Sequence, residues 1–315
     1  MNFSVIISQH GDPASFWFTC TSIDMQMKEI GASYEYRIVS HGCDDSTYLA
    51  PYIERLGEGG RSVHWQHFTE PLGAQTARQR ASAGAKGDIL YFTEDHVLTG
   101  RDYFKRAVAN FNSGVDALHS SLKLSMGDSK RYHYKLDGLQ NNFIGSGESR
   151  SPLDPFKTHR IAVGNHGSWF CRRSVFESVG GYGPDDLLAG YAGDEHYFDL
   201  KLALLDKTNS VDPIMVHYHY TKNVGGEPKG YPEHFGDDYY RNLMTCAFVI
   251  GGPKWVDGVF ENFKKEQPNG QQRMTKLYEE AYARGTEHAA YLASIRKRTL
   301  EQQLEKWKTD GGVAF

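Results

Sequence analysis

Cysteine is scarce in this chain. Its four cysteines, Cys20, Cys43, Cys171 and Cys246, are scattered over 315 residues and never form a C-x-x-C pair. That spacing excludes a zinc ribbon or a disulfide-stapled scaffold and fits a reducing compartment. Long apolar runs are also missing, and no stretch approaches the roughly 20 residues that span a bilayer. The apolar run from Phe3 to Ile7 has no basic segment before it and is too short for a signal-peptide core. The expectation is a soluble, cytoplasmic protein with no membrane partner. Charge of one sign is not in excess either. A formal net charge of -4 excludes a globally basic nucleic-acid binder while allowing a local basic patch. There is no internal repeat and no low-complexity tract.

What the chain does have is enough apolar material for a sizeable core, with 39% hydrophobic and 23% charged residues. Aromatics reach 13%, with Tyr the commonest, which suits pockets with polar edges. The length corresponds to about two domains, or to one large α/β unit with appendages.

Hydrophobic periodicity alternates between strand and helix over the first hundred residues. Strands are predicted at 3–8, 34–39, 63–68 and 89–92, with helices at 14–30, after the capping group Asp45-Ser46-Thr47, and at 74–85. Such alternation implies right-handed crossovers and a parallel sheet. Further on, helices are predicted at 102–111, 173–179 and 196–205, and strands at 115–124, 161–170 and 211–220. Residues 127–159 are rich in Gly, Ser, Asn, Asp and Pro and read as a long functional loop. Helix formers dominate 271–308, and the chain closes on a flexible Gly311-Gly312 tail.

Four places carry chemistry. The buried strand at 89–92 runs into Glu94-Asp95-His96, three groups able to hold a metal ion where open α/β sheets gather their ligands. Asp194-Glu195 opens a helix, where exposed amides and the dipole favour a carboxylate. His217 and His219 are two apart in a strand, so both imidazoles share one face. Arg78 and Arg80 lie on the helix before the acidic strand, where one of them can face a phosphate.

The order of these features resembles the GT-A fold glycosyltransferases, and within them the family 2-like group. The resemblance covers residues 3–220 and rests on two stretches: Ala83-Gly84-Ala85-Lys86-Gly87-Asp88-Ile89-Leu90-Tyr91-Phe92-Thr93-Glu94-Asp95, and Phe170-Cys171-Arg172-Arg173-Ser174-Val175-Phe176-Glu177-Ser178-Val179-Gly180-Gly181-Tyr182. It implies a Rossmann-like α/β fold, a mostly parallel sheet flanked by helices, over residues 1–250, with a C-terminal helical extension over 251–315. The family's DxD motif falls on Thr93-Glu94-Asp95, so Thr93 replaces its first aspartate and Asp95 matches the metal-binding one. The late metal-binding histidine would be His217 or His219, and the general-base motif falls on Asp194-Glu195. Gln9, His10, Gly11, Arg78 and Glu94 are assigned to the nucleotide-sugar, with Asp44 or Asp45 substituting for the aspartate that reads the base.

The implied activity is metal-dependent, inverting sugar transfer from a nucleotide-sugar to an acceptor hydroxyl. Mn²⁺ or Mg²⁺ would stabilise the departing diphosphate, and oxygen ligands with one imidazole suit Mn²⁺. For the acceptor, Arg131, Tyr132, His133, Tyr134, Lys135, His159 and Arg160 in the loop, and Arg296-Lys297-Arg298 with Lys306 and Lys308, are candidate contacts for a polyanion. The layout is similar to phage-type enzymes that glycosylate hydroxymethylated pyrimidines in DNA, which would place the protein in the host cytoplasm; a glycan acceptor is the other option. Thr93 also allows a non-catalytic nucleotide- or carbohydrate-binding homologue. The histidines at 64, 67, 96, 217 and 219 allow a metallohydrolase.

Overall fold

The computed structural model describes residues 1–10, 12–42, 47–124, 157–164, 166–190, 192–219, 235–310 and 313–314. The chain begins β1 (Asn2–Gln9), α1 (Pro13–Glu29), β2 (Ser33–His41), α2 (Ala50–Gly57), β3 (Val63–Phe68), α3 (Ala74–Ser82) and β4 (Ile89–Glu94). It continues through β5 (Val97–Thr99), α4 (Tyr103–Asn112), β6 (Ala117–Leu124), β7 (His159–Ile161), β8 (Ser168–Arg172), α5 (Arg173–Ser178), α6 (Asp194–Leu204) and β9 (Asn209–His219). Four helices follow, α7 (Phe235–Gly251), α8 (Pro253–Glu266), α9 (Gln271–Ile295) and α10 (Leu300–Asp310), then the two-residue strand β10 (Val313–Ala314).

One sheet runs in the order β10-β7-β9-β6-β8-β4-β1-β2-β3, with β5 pairing β9 off this path. The strands β3, β2, β1 and β4 are mutually parallel, as the strand–helix alternation predicts. Beyond β4 the sheet is mixed, because β8 lies antiparallel between β4 and β6. The single strand expected over 161–170 is therefore two: β7 pairs β9, β8 pairs β4, and the intervening turn carries His166. Helix α7 was not foreseen, and Val313–Ala314, expected in a flexible tail, pairs in parallel with β7. Most of the long loop, residues 125–156, lies outside the described residues.

Period-two alternation distributes the strands' side chains between two layers. Ile89 and Tyr91 join Val5, Ile7 and Ile38 on the face covered by α1 and α4, through Phe16, Ile23, Met27, Phe104 and Phe111. Leu90 and Phe92 join Ile6 and Val39 on the opposite face, under Ala77, Ala81, Phe176, Tyr182 and Phe198. Ile89 to Phe92 are at most 1% exposed, so burial on both faces explains their unbroken apolar run. The last four helices form a third core with Tyr197, Leu200 and Leu204 of α6, so helices on both sides of residue 250 pack together. Among the described residues no helix is long and apolar enough to cross a membrane.

Candidate active site

Alternation along β4 decides what faces the site. Glu94 continues the Leu90–Phe92 row toward α3, while Asp95 turns the other way, toward the end of β1. The short strand β5 pairs antiparallel with β9, setting Val97 opposite His219. That pairing brings together groups far apart in sequence. His219 Nε2 lies 2.8 Å from Glu94 Oε2, and His96 Nε2 lies 3.4 Å from the same oxygen. Ligand atoms of Glu94, His96 and His219 all fall within 4.8 Å of one another. Burial disfavours the Glu94 charge, but the His219 hydrogen bond and the charges of His96 and Arg78 outweigh it and hold the carboxyl well below its usual range.

This grouping differs from the one expected in two positions. Asp95, expected as a ligand, accepts from His10 N at 3.1 Å and pairs its other oxygen with His96 Nδ1 at 2.7 Å. It orients the imidazole whose Nε2 faces Glu94, the usual place of a carboxylate behind a metal-binding histidine. His217 shares a strand face with His219 but sits deeper, fully buried, with Nδ1 2.7 Å from Ser120 Oγ. Burial, reinforced by neighbouring His219, pushes its pKa down to about 3. Glu94, assigned to the nucleotide-sugar, instead joins the histidines. Thr93 is fully buried between Ile7 of β1 and Ser168 of β8, away from this cluster.

The acid pair opens α6, where Gly193 takes a φ of +91° that a side chain would strain. Arg78 of α3, 1% exposed rather than on a solvated helix face, joins the two halves of the site. It donates Nη1 to Asp194 Oδ2, and Nη2 to Glu94 Oε1 at 3.2 Å and to the His166 carbonyl at 2.8 Å. Burial works against its charge, but Tyr182 and the carboxylates of Asp194 and Glu94 raise its pKa. Glu195 keeps partial exposure. Burial and the adjacent Asp194 charge push its carboxyl well above the ordinary range, against the pull of Arg78.

At the other side of the site, Gln9 is buried and accepts from Tyr48 Oη at 2.9 Å. His10 stacks on His41 with ring centroids 5.0 Å apart, a pairing not foreseen from the sequence. Gly11, Asp44 and Asp45 lie outside the described residues. Arg80 pairs with Asp185 instead of facing the cluster. Of the other histidines, His64 lies near Ser62 and Glu35, and His67 near Ser40, neither joining His96.

Parallel strands in the order β3-β2-β1-β4, an antiparallel β8 beyond them and polar groups gathered at the strand ends make this a GT-A fold. No protein-family model and no curated protein matches the sequence. Among solved structures, the chain is similar to GalNAc-T7 crystallised with UDP, GalNAc and Mn²⁺, at 15% identity and a TM-score of 0.64, covering 92% of this chain and 57% of that one. It is also similar to S. aureus TarS residues 1–349 in complex with UDP-GlcNAc, at 15% identity and a TM-score of 0.55, covering 94% and 84%. The longer S. aureus TarS chain gives 18% identity, a TM-score of 0.54 and coverage of 79% and 40%. The chain thus spans little more than half of GalNAc-T7 and less than half of the longer TarS chain.

Proposed function

We propose that the protein is a metal-dependent glycosyltransferase that moves a sugar from a nucleotide-sugar to an acceptor hydroxyl with inversion. The observation that carries this reading is the convergence of Glu94, His96 and His219, tied through Arg78 to Asp194 at the strand ends of a GT-A fold. One carboxylate and two imidazoles suit Mn²⁺, and the second nitrogen of His96 is already held by Asp95. When bound, the ion would neutralise charge on the departing diphosphate. Uridine diphosphate is the first nucleotide to test, since both GalNAc-T7 and TarS were crystallised with it.

The chain's own groups divide the remaining work. Asp194 is committed to Arg78, which leaves Glu195, partly exposed and with a raised pKa, to take the proton of an attacking hydroxyl. Arg78 keeps Asp194 and Glu94 in fixed register across the site. Inversion follows from Glu195 and the diphosphate-binding groups flanking the anomeric carbon, the arrangement that in-line displacement requires.

For the acceptor, a hydroxyl of a glycan is the preferred reading. The DNA reading draws on basic groups, and Arg160, Lys207, Arg298 and Lys306 do line one pocket. That pocket lies at the Asn209 end of β9, while His219 ends the strand, about 30 Å away at the usual rise per residue. Those cations therefore do not flank the reacting centre.

The test is a thermal-shift series with nucleoside diphosphates and Mn²⁺, alone and together, followed by hydrolysis assays of the matching UDP-sugars. Stabilisation by UDP that requires Mn²⁺, and sugar release lost in Glu195→Gln, are expected. Mn²⁺-dependent binding without turnover would favour a non-catalytic binding protein, and no response to any nucleotide would end the transferase reading.

A further inference from the structure

A second group of metal-binding side chains lies behind the first. His119 of β6, His166 of the turn before β8 and Asp199 of α6 come from three separate parts of the chain, and all three are fully buried. Their ligand atoms also fall within 4.8 Å of one another. We propose that His119, His166 and Asp199 hold a structural divalent ion of the zinc class, independent of the ion at Glu94, His96 and His219.

Distances carry the first part of the argument. Both imidazoles direct Nε2 at the same oxygen, Asp199 Oδ1, His166 at 3.2 Å and His119 at 3.4 Å. A charge-assisted N–H···O⁻ hydrogen bond closes to about 2.7–2.9 Å. Elsewhere in this molecule a histidine–carboxylate pair reaches that distance, 2.7 Å for His96 Nδ1 with Asp95. Bonds of about 2.0–2.1 Å to a tetrahedral zinc separate neighbouring ligand atoms by about 3.3 Å. The His166 contact sits at the upper limit of a hydrogen bond and the His119 contact beyond it, and both match the edge of such a coordination sphere.

Charge carries the second part. Asp199 is 0% exposed, and no lysine or arginine pairs with it among the described residues. A buried carboxylate without a fixed cation is costly, and a divalent ion removes that cost.

The surroundings are built to hold these rings still. Gly164 donates its N–H to Asp199 Oδ2 at 2.7 Å, leaving Oδ1 to the imidazoles. A Cβ on Gly164 would meet the His119 ring at 2.2 Å, so only glycine lets that ring occupy its place. Trp169 stacks on His166 with ring centroids 4.5 Å apart and on His119 at 5.6 Å, both nearly parallel. The other nitrogen of His166, Nδ1, lies 3.2 Å from Tyr182 Oη, the outer contact that fixes a metal-binding imidazole.

The experiment is metal analysis of the full chain produced with zinc available. An equivalent of zinc per chain is expected in the wild type and in the Glu94→Gln/His219→Ala double variant, and its loss in Asp199→Asn and His166→Gln. Because those two variants can fail to fold, the wild type supplies a second measurement. Chelator-stripped protein is titrated with Co²⁺, which should give visible d–d bands of a low-coordinate site and restore the melting temperature lost on stripping, again in the double variant too. Wild-type protein without zinc, no cobalt spectrum after stripping and a melting temperature indifferent to chelator would overturn the proposal, leaving a hydrogen-bonded His–Asp–His group. Zinc that disappears in the Glu94→Gln/His219→Ala variant would overturn it as well, by assigning the ion to the first site.

Discussion

Glu94 Oε2 and His219 Nε2 lie 2.8 Å apart although 125 residues separate them. The register of β5 on β9 sets this contact, and it brings Glu94 rather than Asp95 against His219, while Asp95 holds the far nitrogen of His96. The two carboxylates can be told apart by Mn²⁺ titration followed by electron paramagnetic resonance. Glu94→Gln removes a ligand and should abolish measurable binding at the site. Asp95→Asn loosens only the partner of His96 and should weaken affinity by about 10- to 100-fold. Equal or greater loss in Asp95→Asn would make Asp95 the direct ligand.

Arg78 carries two carboxylates, and its removal exposes both costs together. In Arg78→Met, Asp194 and Glu94 lose their shared counter-charge inside a buried site. Breaking a buried pair by removing one partner typically costs about 3–5 kcal/mol, which urea denaturation would read. Arg78→Lys should recover only part of that loss, since one ammonium cannot reproduce a planar fork aimed at two carboxylates and a carbonyl. Wild-type stability in Arg78→Met would mean that the two acids tolerate each other without it.

Local patterning made the first half of the fold legible. Ile89 to Phe92 could be read as a doubly buried strand because a parallel strand covered on both sides needs apolar side chains on each. The turn between Ile161 and Ser168 was not legible, since Ala162 and Val163 continue an apolar run while the backbone leaves the sheet. Within the candidate site, the acid pair and His219 were visible as residue types at element ends. The choice between Glu94 and Asp95 was not, because it depends on which neighbour α3 and β9 supply. His166 and Asp199 gave no local signal, as their relation exists only once α6 packs under the sheet.

The raised carboxyl of Glu195 predicts the pH dependence of turnover. A general base must be ionised, so kcat/KM should climb about tenfold per pH unit until the Glu195 pKa is passed, with the limb displaced upward from the ordinary carboxylate range. Asp194→Asn removes a negative neighbour that helps to raise that pKa, so the limb should move to lower pH. Glu195→Gln should reduce kcat by about 10²- to 10⁴-fold and leave no limb to follow. A limb unmoved by Asp194→Asn would show that another group sets it.

Lys201 predicts an unusual rise of stability with pH. Its ammonium is fully buried on α6, donating to the Gly181 carbonyl and lying 4.5 Å over the Tyr197 ring, with no carboxylate pairing among the described residues. Burial brings its pKa down to about 7. An unfolded lysine keeps its proton to about pH 10.4, so between these values the unfolded chain binds more protons than the fold. Stability contributed by this group should therefore increase from pH 7 upward, by as much as about 1.4 kcal/mol per pH unit, and be lost as pH falls back through 7. Tyrosines with raised pKa values, such as Tyr34 at about 12, act in the opposite sense above about pH 10, so the window to measure is pH 7 to 9. Urea denaturation across that window should show the slope in the wild type and a flatter profile in Lys201→Met, with the variant the more stable of the two at pH 7. Identical slopes would mean that Lys201 stays protonated inside the fold.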